Sequence, residues 1–287
     1  MSAVALATRR RPRPLRASRA LGVSGTLAAI VLVAIVVVAL LAPLLAPHDP
    51  DAVDILNPFA GASAAHPLGT DASGRDLLSR LIHGSRTALL GPLLVVGVSS
   101  LVGVALAIAA AWFGGLLDTL VARGLDVLFA FPGLLLAIIA SAVLGAGLVT
   151  AALALSISYI PYIARIVRSE ALRQRNLPYV QALWSQGVPA WAVCVRHLLP
   201  NLLPLLAAQV TLMLGYATVD VAAISYLGLG VQPPTADWGT MVAVGQAGIV
   251  QGHPQESLYA GLCLVVLVLA FTQLGDALAD RARVSGS

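Results

Sequence analysis

No lysine occurs anywhere in the 287 residues, so all 17 basic side chains are arginine. A phosphate-binding P-loop needs a lysine amine on the β- and γ-phosphates, and Schiff-base catalysis needs one as nucleophile. The chain is therefore neither a P-loop ATPase nor a Schiff-base enzyme. Charge of either sign is also scarce, at 10% of residues, against roughly 25% in an ordinary soluble domain. So few charges cannot coat a water-soluble body of this size. With 59% apolar residues and a mean hydropathy of +0.90, the main solvent is lipid. Disorder, collagen and coiled coil are excluded by the same excess. The two cysteines, Cys194 and Cys263, make no disulfide framework and are expected as free thiols. The five histidines (His48, His66, His83, His197, His253) are scattered without ligand spacing, so neither a metal site nor a cofactor is expected.

What is abundant is long charge-free runs. A helix needs about 20 apolar residues to cross a hydrocarbon core of ~30 Å. The run Ala20 to Pro47 supplies one span, placed at residues 22–46; it is too long for a signal-peptide core and ends in no good A-x-A site. Thr87 to Leu117 supplies a second. Val127 to Ala164 would make a helix of about 57 Å, so the Gly145-Ala146-Gly147 break should fold it into a hairpin of two spans. A fifth span follows Pro200 to about Tyr226, and a sixth covers roughly Leu258 to Leu274. The expected fold is all-α, an integral membrane protein with six transmembrane helices. It divides into an Arg-rich tail (1–21), the first helix (22–46), a loop (47–86) and a five-helix core (87–284).

Arginine placement orients the array, because cytoplasmic loops retain positive charge. The tail holds Arg9, Arg10, Arg11, Arg13, Arg16 and Arg19 without an acid. The segment Arg165 to Arg196 is again arginine-rich, whereas the first loop carries Asp49, Asp51, Asp54, Asp71 and Asp76. Both termini and the loop between spans four and five are then cytoplasmic, and the Asp-rich loop is external.

That cytoplasmic loop, 168–200, carries helix punctuation. Asn176 reads as an N-cap with Pro178 in the first turn, a short helix should stop at Gly187, and Pro189 should open a second helix ending near Leu199-Pro200. Two readings compete on spacing alone: an amphipathic segment lying on lipid, or a docking surface for a cytoplasmic partner.

The residues of this loop carry a resemblance. Tyr179-Val180-Gln181-Ala182-Leu183-x-x-x-Gly187, followed by Arg196-His197-Leu198-Leu199-Pro200-Asn201, resembles the EAA loop of ABC importer permeases, E-A-A-x-x-x-G then I-x-L-P. Ala182, Gly187, Leu199 and Pro200 match; Gln181, Leu183 and His197 depart from the acid, the second alanine and the isoleucine. His66-Pro67-Leu68-Gly69-Thr70-Asp71 through Gly74-Arg75-Asp76 to Leu81, and Ser225-Tyr226-Leu227-Gly228-Leu229-Gly230 through Thr235 with Asp237-Trp238-Gly239, resemble the dipeptide, oligopeptide and nickel branch of that family. The resemblance covers about residues 20 to 280. It implies the type I importer permease fold in a bacterial cytoplasmic membrane and transport of peptides or related solutes by alternating access. It also implies two ATP-binding subunits that dock on the loop, a second homologous permease subunit and an external substrate-binding protein. Tyr179, Gln181, Ala182, Leu183, Gly187, Leu199 and Pro200 become the coupling residues, with Gln181 docking without charge assistance. Besides membrane lipid no other partner is expected, and no nucleic acid.

Asp220 is the one acid deep in an expected span. A charge there costs roughly 2.5–3.5 kcal/mol on insertion scales, so it should face protein or water. It either lines a translocation path, where it could meet a substrate amine, or pairs with Ser225 or another helix. The small row Ser99, Gly103, Ala107, Ala111 suits close helix approach, within the chain or between subunits. Asp118, Arg123 and Asp126 read as local helix-surface contacts. Two other function classes compete. An ion-coupled secondary transporter would want several intramembrane ionisable groups and an inverted repeat, and an intramembrane serine protease could use only Gly22-x-Ser24-Gly25, beside the tail and with no histidine in a span.

Overall fold

The computed structural model describes residues 21–285, so the Arg-rich tail lies outside the described residues. Twelve α-helices and one π turn make up the described chain; its only extended pairing is a single bridge between Thr70 and Asp76. Five helices are long and apolar enough to cross a membrane, and a bent pair supplies a sixth if it counts as one span.

Helix α1 (Gly22–Leu40) is apolar on all sides and continues after a one-residue break into the short α2 (Ala42–Leu45). It leaves most of its side chains outward, as a helix solvated by hydrocarbon should. Helix α3 (Leu77–Phe113) has 37 residues, about 55 Å, and starts ten positions before the expected Thr87. The charge-free run marks the part suited to hydrocarbon, not the length of the helix. Asp76 starts the helix, accepting hydrogen bonds from the Ser79 backbone and hydroxyl at 2.8 and 2.7 Å. The turns that follow carry Arg80, His83 and Arg86 beyond the apolar stretch.

Spans three and four differ more from expectation. Gly114 and Gly115 end α3, α4 (Gly115–Phe129) follows, and a 79° bend leads into α5 (Gly133–Leu144). The expected run from Val127 is thus broken at Pro132, which holds an extended conformation before α5 and cannot donate a helical N–H. At 12 residues, α5 extends only about 18 Å. The Gly145–Gly147 break stands where expected, ahead of α6 (Leu148–Arg175).

Helix α6 packs along α3, and the small row decides their separation. Ser99, Gly103, Ala107 and Ala111 are all buried, and a Cβ on Gly103 would stand 3.1 Å from the Ile160 carbonyl and 3.3 Å from the Ala164 nitrogen. The row is therefore a seam within the chain. Nor are the acids of α4 locally paired: Arg168 grips Asp118 with two bonds of 2.5 Å, and Arg165 reaches Asp126 at 2.8 Å. These are ties between α4 and α6.

After α6 come α7 (Pro178–Ser185), α8 (Ala190–Val193), a π turn (Cys194–Leu198) and α9 (Leu199–Tyr226). Asn176 closes α6 instead of opening α7: its side-chain amide donates to the Leu172 carbonyl at 3.1 Å. Pro200 does not end a helix either; the path is helical from Ala190 to Tyr226. The wider π turn just before it accommodates a ring that offers no N–H to the carbonyl four residues back. Two short helices, α10 (Trp238–Val244) and α11 (Gln246–Val250), precede α12 (Gln255–Ser285), which packs against both α1 and α9.

Candidate functional site

Two features stand out, one at each end of α9. At its start is the elbow. Val180 of α7, Val193 of α8 and Trp112 of α3 form a small buried cluster of their own, flanked by Tyr179, Leu183 and Val188. Trp184 meets Trp112 edge-on with centroids 5.7 Å apart. Arg175 clamps the base, donating to the Ala111 carbonyl at 2.8 Å. The Tyr179 hydroxyl accepts from the Asn201 side chain at 3.1 Å and reaches Gln174 at 3.4 Å. The elbow is thus bolted to α3 by packing and to α6 and α9 by hydrogen bonds of Tyr179, not carried as a loose loop.

The sequence-marked residues divide between two sides of this elbow. Val180, Tyr179 and Leu183 turn inward, while Gln181, Ala182 and Gly187 are exposed. Gly187 has φ +75° with open space around its Cα, the left-handed geometry that lets a helix stop and turn sharply. Leu199 and Pro200 sit apart, at the root of α9, with Leu199 half-buried and Pro200 exposed. Trp184, which the motif does not mark, adds a 55% exposed indole.

Further along α9 lies a cavity of about 570 Å³ between the α4–α5 bend, α6 and α9. Asp220 lies in its wall, and the Tyr159 hydroxyl donates to Asp220 Oδ2 at 2.8 Å. The partner is therefore a tyrosine of another helix and not Ser225, whose hydroxyl accepts from the Val231 N–H at 3.4 Å. Phe129, Tyr162 and Tyr216 line the same space. Sequence reasoning did not single out this ring of aromatics. Its signals were Tyr159 and Tyr162 three apart on α6, and Tyr216 four residues before Asp220, spacings that share a helix face. A second cavity of about 710 Å³, beside Trp112 and Trp191, is walled almost wholly by apolar groups.

The loop before α3 is ordered by its own motif. Asp71 accepts from the backbones of Ser73 and Arg75 and from Arg75 Nε at 2.6 Å. Arg80 ties three segments, donating to the carbonyls of Pro50 at 3.0 Å and Pro234 at 3.4 Å. Two of the scattered histidines converge here: His66 Nδ1 lies 3.0 Å from Asp76, and the ligating atoms of His48, His66 and Asp76 all fall within 4.8 Å. Burial alone would raise the Asp76 carboxyl. The hydrogen bonds from Ser79 and His66, and the nearby His48, outweigh it and hold the carboxyl below its ordinary range.

Comparison with known proteins agrees with this architecture. Residues 101–284 match the family described as binding-protein-dependent transport system inner membrane component, and residues 25–62 match the N-terminal transmembrane domain of oligopeptide transport permease C. The chain is 36% identical to a glutathione transport system permease protein of Pectobacterium atrosepticum, over 86% of this chain and 82% of that one. It is 35% identical to a probable D,D-dipeptide transport system permease protein of Escherichia coli K12, over 88% and 84%. A putative peptide transport system permease protein of Brucella suis is 38% identical over 90% and 88%. These relatives are transport permeases, not enzymes. The chain belongs to the binding-protein-dependent transport system inner membrane components, the multi-pass permeases of bacterial ABC importers, within their peptide-transport branch.

Proposed function

We propose that this chain is one of two permease subunits that carry short peptides, di- or oligopeptides or related solutes, inward across the cytoplasmic membrane by ATP-driven alternating access. The elbow carries the reading. It is a short helical lever fixed to the body through Val180, Trp112 and Val193, yet it presents Gln181 and Ala182 outward. Closure of two ATP-binding subunits against that face would move α3, α6 and α9 together, because the elbow is tied to all three. ATP binding shifts the equilibrium only if the docked elbow favours one state over the other. A lever seated firmly in its own chain passes such a bias on to those helices, and a loose loop would not.

In this reading the elbow and both termini are cytoplasmic, the loop from His48 to Asp76 is external, and an external substrate-binding protein delivers the solute. Tyr179 and Leu183 hold the lever, Gln181 and Ala182 contact the ATPase, Gly187 sets the turn, and Leu199 and Pro200 pass movement into α9. Gln181 docks by neutral hydrogen bonds instead of a charge-assisted pair. Asp220 lines the translocation path, whose other wall comes from the homologous permease subunit.

The decisive experiment is reconstitution in proteoliposomes. The chain together with a second permease, two ATP-binding subunits and the binding protein should accumulate peptide only when ATP is supplied on the ATPase side. Uphill transport by this chain alone, driven by an ion gradient without nucleotide, would overturn the proposal in favour of a secondary transporter.

A further inference from the structure

The cavity around Asp220 has the chemistry of a cation site with no cation of its own in the wall. Asp220 offers a carboxylate on a helix suited to hydrocarbon, and only its Oδ2 accepts a hydrogen bond among the described residues, from Tyr159. Tyr159, Tyr162, Tyr216 and Phe129 line the same cavity, and aromatic faces attract ammonium groups. Ser158 is among the lining residues, and its hydroxyl is buried without a hydrogen-bond partner. The guanidinium of Arg165, beside the Phe129 ring, is engaged elsewhere; it stacks on Phe129 at 4.4 Å to the centroid and pairs with Asp126 at 2.8 Å.

We infer that this cavity is a transit subsite for a primary ammonium group, such as the protonated amino terminus of a peptide. The ammonium has three donors to place: the free Asp220 oxygen accepts from it, and the lining rings meet its remaining positive charge. The inference rests on the proposal that α9 lines the translocation path. It adds what that path selects: solutes with a free amine over the same solutes acylated at nitrogen. A cavity of about 570 Å³ is of the size that holds small ligands.

The test uses the complete transporter in nanodiscs, with Cys194→Ser and Cys263→Ser as background and Val219→Cys as reporter. Val219 lines the cavity and is exposed in the chain. Its cysteine should react with a water-soluble methanethiosulfonate, and saturating n-butylammonium should slow that reaction by about tenfold while n-butanol does not. Asp220→Asn should remove most of the protection. Tyr216→Leu, which deletes a 67% exposed ring and leaves the carboxylate, should weaken it several-fold. Unchanged assembly of the complete transporter and an unchanged unfolding temperature in both variants would show that they fold. Reaction without selective protection by the ammonium, or protection that survives Asp220→Asn, would overturn the subsite and leave the path intact. No reaction in either the nucleotide-free or the nucleotide-bound state would remove the path, and the subsite with it.

Discussion

The indole of Trp238 donates from Nε1 to the carbonyl oxygen of Leu81 at 2.9 Å, pinning α10 to the first turns of α3. Trp238 is almost fully buried, and Asp237 fixes its approach by capping α10 through the Thr240 N–H at 3.0 Å. Replacing Trp238 by Phe should cost about 1 kcal/mol from the lost bond, and by Ala about 3–5 kcal/mol from the cavity. Thermal unfolding in detergent measures both; equal stability of the Phe and Ala variants would show that the indole packs against nothing that matters.

Gly187 tests the elbow. A side chain there meets no clash, so any effect of Gly187→Val comes from the positive φ, which costs roughly 1–2 kcal/mol for an L-residue. The variant should insert normally but lose co-purifying ATPase and peptide uptake. Gly187→Asn, which tolerates that region better, should retain more of both.

Close approach of α3 and α6 depends on Gly103. Gly103→Leu drives a side chain into the Ile160 carbonyl and should destabilise the chain by about 1–3 kcal/mol or more. Gly97→Leu, on the same helix but facing open space, is the control and should change little.

The pair Asp118 and Arg168 should behave as one unit across α4 and α6. Asn at 118 and Gln at 168 should each lower the melting temperature, and the double variant should lose less than the sum. Half-exposed pairs of this kind give coupling of about 0.2–1 kcal/mol. A coupling of zero would mean that this pair adds nothing to the packing of α4 on α6 and to the Arg165–Asp126 tie.

Asp76 should make stability fall in acid. Its carboxyl is held below the ordinary range in the folded chain, so its contribution is complete above the unfolded value of about 3.9. That contribution is lost as pH falls through the lower, folded value. Unfolding temperature measured from pH 6 to pH 3 should drop at the acid end in the native chain and drop less steeply in Asp76→Asn, which still caps the helix.

Much of this architecture is local in origin and was legible. Runs such as Ala20 to Pro47 read directly as spans because hydrocarbon demands about 20 apolar residues in a row whatever their neighbours. The elbow was legible for a similar reason, since Pro178 and Pro189 fix their own φ and Gly187 is free to take the left-handed turn. Charge-free length failed where helix and membrane part company, since α3 starts at Leu77 under an Asp76 cap, whereas the break at Pro132, whose ring by itself points to a kink or span end, was legible. Asn176 had the right chemistry for a cap and closed the preceding helix instead.

By itself, then, the sequence determined solvent, span segments, turn positions and the lysine-free exclusion of a P-loop, because composition and short-range backbone sterics act without regard to the rest of the chain. Only the tertiary structure decided which partners the polar residues take. Asp220 meets Tyr159 from 61 positions away, Asp118 meets Arg168 from 50, and Arg80 reaches Pro234 from 154. Such pairings are chosen by how helices pack in three dimensions, where a small row on α3 sets which face of α6 comes near, and no local window of residues records that choice.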